Sequence, residues 1–399
     1  MKEYKTIIIL FFLLSYIFIP ISLFCLLEGK IIIRLLYSML AFLLLIIGSE
    51  FIFNILNNKF FNKKLKIDKN FRKDDIYFTS HPYLPFEMKK NMPLTNKVKA
   101  DYKNYEFDYY FPSLSSNNLG FANGTDGSRA VKIPKERDIF RINCLGGSTT
   151  GNYLEYKNAV YSYPLLLEQL IKNSFGNKKI EVNNFGQGGY NSSEVLINFL
   201  FKVLYTNPDM IILYLGYNDI RPYLTKNFKN DYSHSRKNID LSNLGFFLNN
   251  YLPNINLNFY KYLLQKLSIR NSLLDVVSKG ELDINQNPEK GLQVFKNNLE
   301  NIITICKSKN ITLILSSFCK NENKVDKENF VGQKFLEIVN QENKIIKELS
   351  IKYSCDFVDN ENLIEKNDEN FVDSIHFSHL GMEKLAKNFF NKINTYLKN

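Results

Sequence analysis

From residue 140 onward, short apolar runs alternate with stretches of helical periodicity, and the early runs stop at clusters of small or polar residues. FRINCL (140–145) precedes a helix expected near 161–172, and KIEVNNF (179–185) precedes one near 193–204. MIILYLG (210–216) is followed by a long Asn- and Tyr-rich insertion, 221–290. A helix near 291–307 leads to ITLILSSF (311–318), one near 333–353 leads to CDFVD (355–359), and the last lies near 382–396. Strands that alternate with helices predict a parallel sheet covered by helices on both faces. Right-handed crossovers align the strand carboxyl ends on one edge, and ligand sites of open parallel sheets gather there. An apolar content of 45% permits the core that such a sheet needs.

The start of the chain asks for a different solvent. Residues 6–27 carry no charge, long enough for a membrane-spanning helix, and membrane helices tolerate a proline such as Pro20. After Glu28-Gly29-Lys30, a second apolar stretch, 35–56, contains one acid, Glu50. Two spans joined by a tight turn predict a transmembrane hairpin; one span plus an interfacial helix is the alternative. A cleaved signal peptide fits less well, because no A-x-A-like site follows the first span. Cys25 follows Leu23-Phe24, which is too bulky for lipoprotein processing. The net charge of +11 is uneven: from Lys59 to Lys73 there are seven Lys or Arg and one acid. Placed directly after an apolar segment, this run suits a membrane surface; no nucleic-acid-binding motif accompanies it. The expected location is a bacterial inner membrane, crossed twice. Lys2, Lys5 and the 59–73 flank put the rest of the chain on the cytoplasmic side by the charge rule, with the extracytoplasmic side as alternative. The expected organisation is a membrane region at 1–57, a basic and connecting region at 58–137, and a strand–helix domain at 138–399.

Five cysteines (Cys25, Cys144, Cys306, Cys319 and Cys355) lack CxxC spacing. Those in or beside strands read as small buried hydrophobes, which favours a reducing compartment.

Four clusters carry the chemistry. Gly146-Gly147-Ser148-Thr149-Thr150 follows the first strand and leaves Ser148 exposed. Asn184-Phe185-Gly186-Gln187-Gly188-Gly189-Tyr190-Asn191 follows the second, where glycines allow a backbone N–H to approach a ligand. A dinucleotide-binding turn is the rival, but Asn191 stands where its third glycine belongs. Gly216-Tyr217-Asn218-Asp219 follows the third strand and reads either as a turn or as an amide aimed at the same edge. Asp373-Ser374-Ile375-His376-Phe377-Ser378-His379 precedes the last helix and holds two of the four histidines. A carboxylate three residues before a histidine can accept its Nδ1–H. Metal ligation by Asp373, His376 and His379 is the rival, without a further His or Cys cluster to support it.

In order and together, these clusters resemble the four blocks of the SGNH/GDSL hydrolase (esterase) family, over about residues 138–398. Asn117-Asn118-Leu119-Gly120-Phe121 also looks like the segment before the first block in membrane-anchored members. The resemblance implies a three-layer α/β/α fold with a five-stranded parallel sheet, flavodoxin-like. It implies Ser148 as nucleophile, His376 as general base and acid, and Asp373 as orienter of His376. The oxyanion hole would use the N–H of Ser148, that of Gly189 (Gly188 being an adjacent candidate) and the side-chain amide of Asn218. Gly147 departs from the Asp that many members carry, and His379 reads as a pocket, supporting or surface residue. The implied activity is hydrolysis of an ester-linked acyl group, acetyl on an envelope glycan being favoured. A lipid-acyl ester, or transfer to a sugar hydroxyl, is the alternative, and a non-catalytic binding module on the same fold is the reading of another class. The expected partners are the acyl-ester substrate and the membrane, with no cofactor, metal or nucleic acid.

Overall fold

The computed structural model describes residues 39–51, 78–236 and 280–398, save 42, 80, 93–97, 100–107, 112–114, 124–129, 177 and 327. The chain divides into two units, Met1–Ile76 with Ile239–Ser272, and Tyr77–Asn238 with Leu273–Asn399.

Five strands form the central sheet of the second unit: β1 (Phe140–Gly146), β2 (Ile180–Gly186), β3 (Met210–Tyr214), β4 (Thr312–Ser316) and β5 (Asp356–Val358). All pairings are parallel, in the order β2-β1-β3-β4-β5. The central strand β3 is buried along its whole length, as continuous apolar runs in covered parallel sheets require. The register sets Arg141 of β1 opposite Glu181 of β2, and their side chains pair at 2.9 Å. The strand order reverses between β1 and β3, and the crevice at their carboxyl ends is where such sheets bind ligands.

Four long helices and a short one cover the sheet: α1 (Tyr163–Phe175), the short α2 (Ser192–Asn198), α3 (Glu289–Ser308), α4 (Phe330–Lys352) and α5 (His379–Leu397). α1 packs on α5, and α2 and α4 pack on α3. Each buries one stripe: Leu167 and Ile171 on α1; Val294, Phe295, Leu299 and Ile302 on α3; Leu385, Phe389 and Ile393 on α5. Caps set the ends. Ser162 begins α1 with a proline in its first turn, Asn191 and Glu194 form a reciprocal capping box on α2, and Ser378 caps α5. The helix expected at 193–204 is therefore α2 followed by a π-helical segment, Phe199–Val203, and a 3₁₀ turn, Leu204–Thr206.

Residues 78–137 do more than connect. Strands Val98–Lys99 and Tyr110–Phe111 join Leu154–Tyr156 and Ala159–Tyr161 in a four-stranded antiparallel sheet. Phe86, Tyr109 and Phe121 are buried, and Phe121 packs edge-on against Phe185 of β2 at 4.7 Å. The Asn117 side chain accepts the N–H of Leu119 and of Phe121, which folds the Asn-Asn-Leu-Gly-Phe segment into a tight loop. The described part of this stretch falls in the same unit as the sheet, tied to it by apolar rings rather than long strands. The described ends of the insertion, 221–236 and 280–290, also belong to this unit.

Cys144, Cys306 and Cys319 are buried free thiols, and burial pushes Cys306 and Cys319 up to about 12. Cys25 and the expected span 6–27 lie outside the described residues, as does the basic flank 59–73. Of the expected span 35–56, residues 39–41 and 43–51 are described and are helical. Among the described residues no helix is long and apolar enough to cross a membrane.

Candidate active site

Ser148 follows β1 as the first residue of a short helix, Ser148–Gly151. A first-turn residue has no acceptor within its own helix, so the Ser148 N–H points out of the helix end. Ser148 is part-exposed between the buried Gly147 and Thr149. Gly147 makes room for a partner: a Cβ there would stand 2.6 Å from Asn218 Nδ2.

The loop before α5 brings the imidazole. His376 Nε2 lies 2.8 Å from Ser148 Oγ, and His376 Nδ1 lies 2.7 Å from Asp373 Oδ2. Asp373 Oδ1 accepts the N–H of Ile375 at 2.9 Å and that of His376 at 2.7 Å. Burial raises the Asp373 carboxyl, but the hydrogen bond and charge of His376 and these two N–H groups outweigh it and hold it below the usual carboxylate range. An ionised Asp373 accepts Nδ1–H, which leaves the lone pair of Nε2 facing the Ser148 hydroxyl.

Both nitrogens of His376 are engaged, so a metal bound by Asp373, His376 and His379 would have to displace Ser148 or Asp373. His379 turns elsewhere. Its Nδ1 lies 2.7 Å from the Tyr109 hydroxyl, and its ring packs against Tyr156 at 4.3 Å and Tyr161 at 5.4 Å. It ties the start of α5 to the small antiparallel sheet.

The two remaining clusters meet beside Ser148. The turn after β2 is closed by the Tyr190 N–H donating to Gln187 O at 3.2 Å. Gly189 has φ +79°, a conformation that a side chain would strain. Gly188 faces the serine; a Cβ built there would stand 3.9 Å from Ser148 Cβ. The side-chain face of Gly188 is thus turned toward Ser148, in the turn that Gly189 closes. Asn218 Nδ2 donates to Tyr190 O at 2.9 Å, a bond that uses one of its two amide hydrogens. Asn184 is buried and donates to Thr150 O at 2.9 Å, which pins the Ser148 helix to β2.

Sequence reasoning missed the residues behind this first layer. Arg236, from the insertion, donates to Gly189 O at 3.1 Å and pairs with Glu194 at 2.7 Å. Glu342 of α4 accepts the Tyr217 N–H at 3.1 Å. A charge on the apolar stripe of α4 (Phe335, Ile338, Val339, Glu342, Ile346) was the available signal for Glu342; Arg236 had none. A cavity of about 640 Å³ is lined by residues including Asn117, Tyr161, Glu168, Asn183 and Asn184, but by none of the site residues. Glu168, Asn183 and Asn184 are hydrogen-bonded within the protein.

Comparisons place this geometry among known proteins. The sequence pattern of the GDSL-like lipase/acylhydrolase family matches residues 144–384, more than half of the chain. A search of curated proteins finds no match. Among solved structures, a lipase/acylhydrolase from Enterococcus faecalis is 16% identical, with 64% of this chain and 96% of that one covered and a TM-score of 0.37. An acetyl xylan esterase from Geobacillus stearothermophilus is 14% identical, with 65% and 96% covered and a TM-score of 0.40. A GDSL-like lipase from Bacteroides thetaiotaomicron is 12% identical, with 64% and 88% covered and a TM-score of 0.37. Similarity at this level speaks to neither substrate nor site.

Proposed function

The chain belongs to the GDSL-like lipase/acylhydrolase family, a family of ester-bond hydrolases, and we propose that it is a serine esterase working through an acyl-enzyme on Ser148. The observation that carries this reading is the unbroken line Asp373–His376–Ser148, with hydrogen-bond distances of 2.7 and 2.8 Å, at the carboxyl ends of the strands.

In this reading Ser148 Oγ attacks the ester carbonyl carbon while its proton passes to His376 Nε2. Asp373 keeps the imidazole oriented and stabilises the imidazolium. The carbonyl oxygen becomes an oxyanion, held by the N–H of Ser148, that of Gly189 or Gly188, and the Asn218 amide. Collapse breaks the bond to the leaving alcohol, which takes the proton from His376. Water then gives a proton to His376 and attacks the acyl carbon, and the released serine recovers that proton. Every charge and proton is handled by side chains and backbone of this chain.

The favoured substrate is an acyl ester at a membrane, acetyl on an envelope glycan. The apolar stretches 6–27 and 35–56 support a membrane anchor. In the described part of the second, Met39, Leu40, Leu43, Leu44, Ile47 and Phe51 are each more than half exposed, as side chains facing lipid would be. The test is hydrolysis of p-nitrophenyl acetate against p-nitrophenyl palmitate by the full chain, with Ser148→Ala as control. Ser148-dependent turnover of acetate alone supports the small-acyl reading. Preference for palmitate moves the substrate to lipids. Turnover of neither, with no labelling of Ser148 by a fluorophosphonate, would leave a binding module.

A further inference from the structure

The Asn218 amide is carried by a backbone that resists its own shape. The Asn218 N–H donates to Gly216 O at 2.9 Å, and Tyr217 between them has φ +72°. A tight turn of this kind, with positive φ at a bulky residue, is rare and strained. It persists only where the surroundings hold it.

Glu342 is in position to do so. It is wholly buried at the middle of α4; its Oε2 accepts the Tyr217 N–H at 3.1 Å, and its Oε1 lies 2.8 Å from the Tyr223 hydroxyl. On the other flank, buried Asp219 accepts the Ser192 N–H at 2.8 Å, the Ser192 hydroxyl, and the Tyr232 hydroxyl at 3.3 Å. Asn218 thus stands between two residues that buried carboxyls fasten: Tyr217 to α4, and Asp219 to the first residue of α2. Burying a carboxyl on an apolar helix face is costly compared with an apolar side chain. The two hydrogen bonds of Glu342 go to the segment that carries Asn218, just before it and five residues after it.

We infer that Glu342 is a positioning residue for Asn218: it holds the strained turn at Tyr217 and so fixes where the amide meets the developing oxyanion. The inference rests on the esterase reading above.

The surroundings also set its charge. Burial first, and the neighbouring Asp219 second, push the Glu342 carboxyl up to about 8. Burial raises Asp219 to about 6, against the opposing Ser192 hydrogen bonds and the Arg236 charge. Tyr223 and Tyr232 also face the pair, and burial holds both phenols above their ordinary range. Of the two, Asp219 ionises the more readily and Glu342 is held toward its neutral form. Raising the pH through about 8 places a second anion in the same buried space, and repulsion and hydration then loosen the turn.

The test is kcat and KM of the full chain on p-nitrophenyl acetate from about pH 6.5 to about pH 9.5, unaltered and as Glu342→Gln and Glu342→Ala. Glutamine keeps an acceptor for Tyr217 and a partner for Tyr223 but cannot ionise. The unaltered chain is expected to lose kcat above pH 8 at constant KM, and Glu342→Gln to lack that fall. Glu342→Ala is expected to lose kcat at every pH, by ~10-fold or more and toward the ~10²–10³-fold of a lost oxyanion donor. An alkaline fall in Glu342→Gln equal to that of the unaltered chain overturns the inference, as does a folded Glu342→Ala with unchanged kcat. If the alanine variant does not fold, the glutamine profile decides. A Ser148→Ala control separates the two readings: turnover that survives it overturns the esterase reading and this inference together, whereas Ser148-dependent turnover with a Glu342-independent profile overturns this inference alone.

Discussion

A serine hydroxyl is a weak nucleophile until a base takes its proton, and at Ser148 the imidazole of His376 is 2.8 Å away. The account assigns each neighbour a separate loss. Asn218→Ala removes one oxyanion donor and is expected to lower kcat by ~10²–10³-fold with little change in KM, as steady-state kinetics would read. Asp373→Asn keeps the shape but offers Nδ1 the wrong partner, and a loss of ~10⁴-fold is expected. Retention of kcat within a few fold in either variant would contradict the assigned role. That Ser148, His376 and Asp373 meet in one hydrogen-bonded line was legible in the sequence, because a hydrolytic reading needs those residue types and leaves few substitutes. The choice between Gly188 and Gly189 was not, because both glycines belong to one turn and only its geometry shows which faces the serine.

At the scale of elements, the loops of the site are held from behind by helices and by the insertion. Arg236 and Glu194 are side chains 10% and 5% exposed, paired at 2.7 Å, and Arg236 also holds Gly189 O. Removing one partner of a buried pair typically costs ~3–5 kcal/mol. Arg236→Met is therefore expected to lower the unfolding free energy by about that amount, read by urea titration, and to lower kcat as the Gly189 turn is freed; a variant as stable as the unaltered chain would contradict this. The strands could be read to within one or two residues at most ends, because buried parallel strands are continuous apolar runs. Residues 78–137 were legible only as a connecting region with short strands, since the described part packs through isolated aromatic rings and two-residue strands that leave no period in the sequence. Arg236 was illegible for a related reason, and Glu342 showed only as a charge on an apolar stripe: their partners are remote in sequence, and only the fold brings them together.

For the whole molecule, the buried carboxyls make stability depend on pH. The Glu342 carboxyl is raised to about 8 in the folded chain, while in the unfolded chain it titrates near the ordinary ~4.3. Between those values the folded state holds the extra proton, so this contribution to stability is full below the unfolded value and is lost as pH rises through about 8. The melting temperature should fall as the pH rises from about 5 to about 8, level off above that, and fall less in Glu342→Gln; equal slopes would contradict the burial argument. Membrane attachment is tested at the same scale. The full chain should sediment with membranes and stay there in high salt, and recovery in the soluble fraction would count against the anchor. The most direct test of the central claim is the intact mass of the full chain after reaction with a fluorophosphonate, followed by mapping of the modified peptide. The account predicts one adduct, on Ser148, formed far more slowly in His376→Ala; an unmodified chain, or an adduct on another residue, would contradict it.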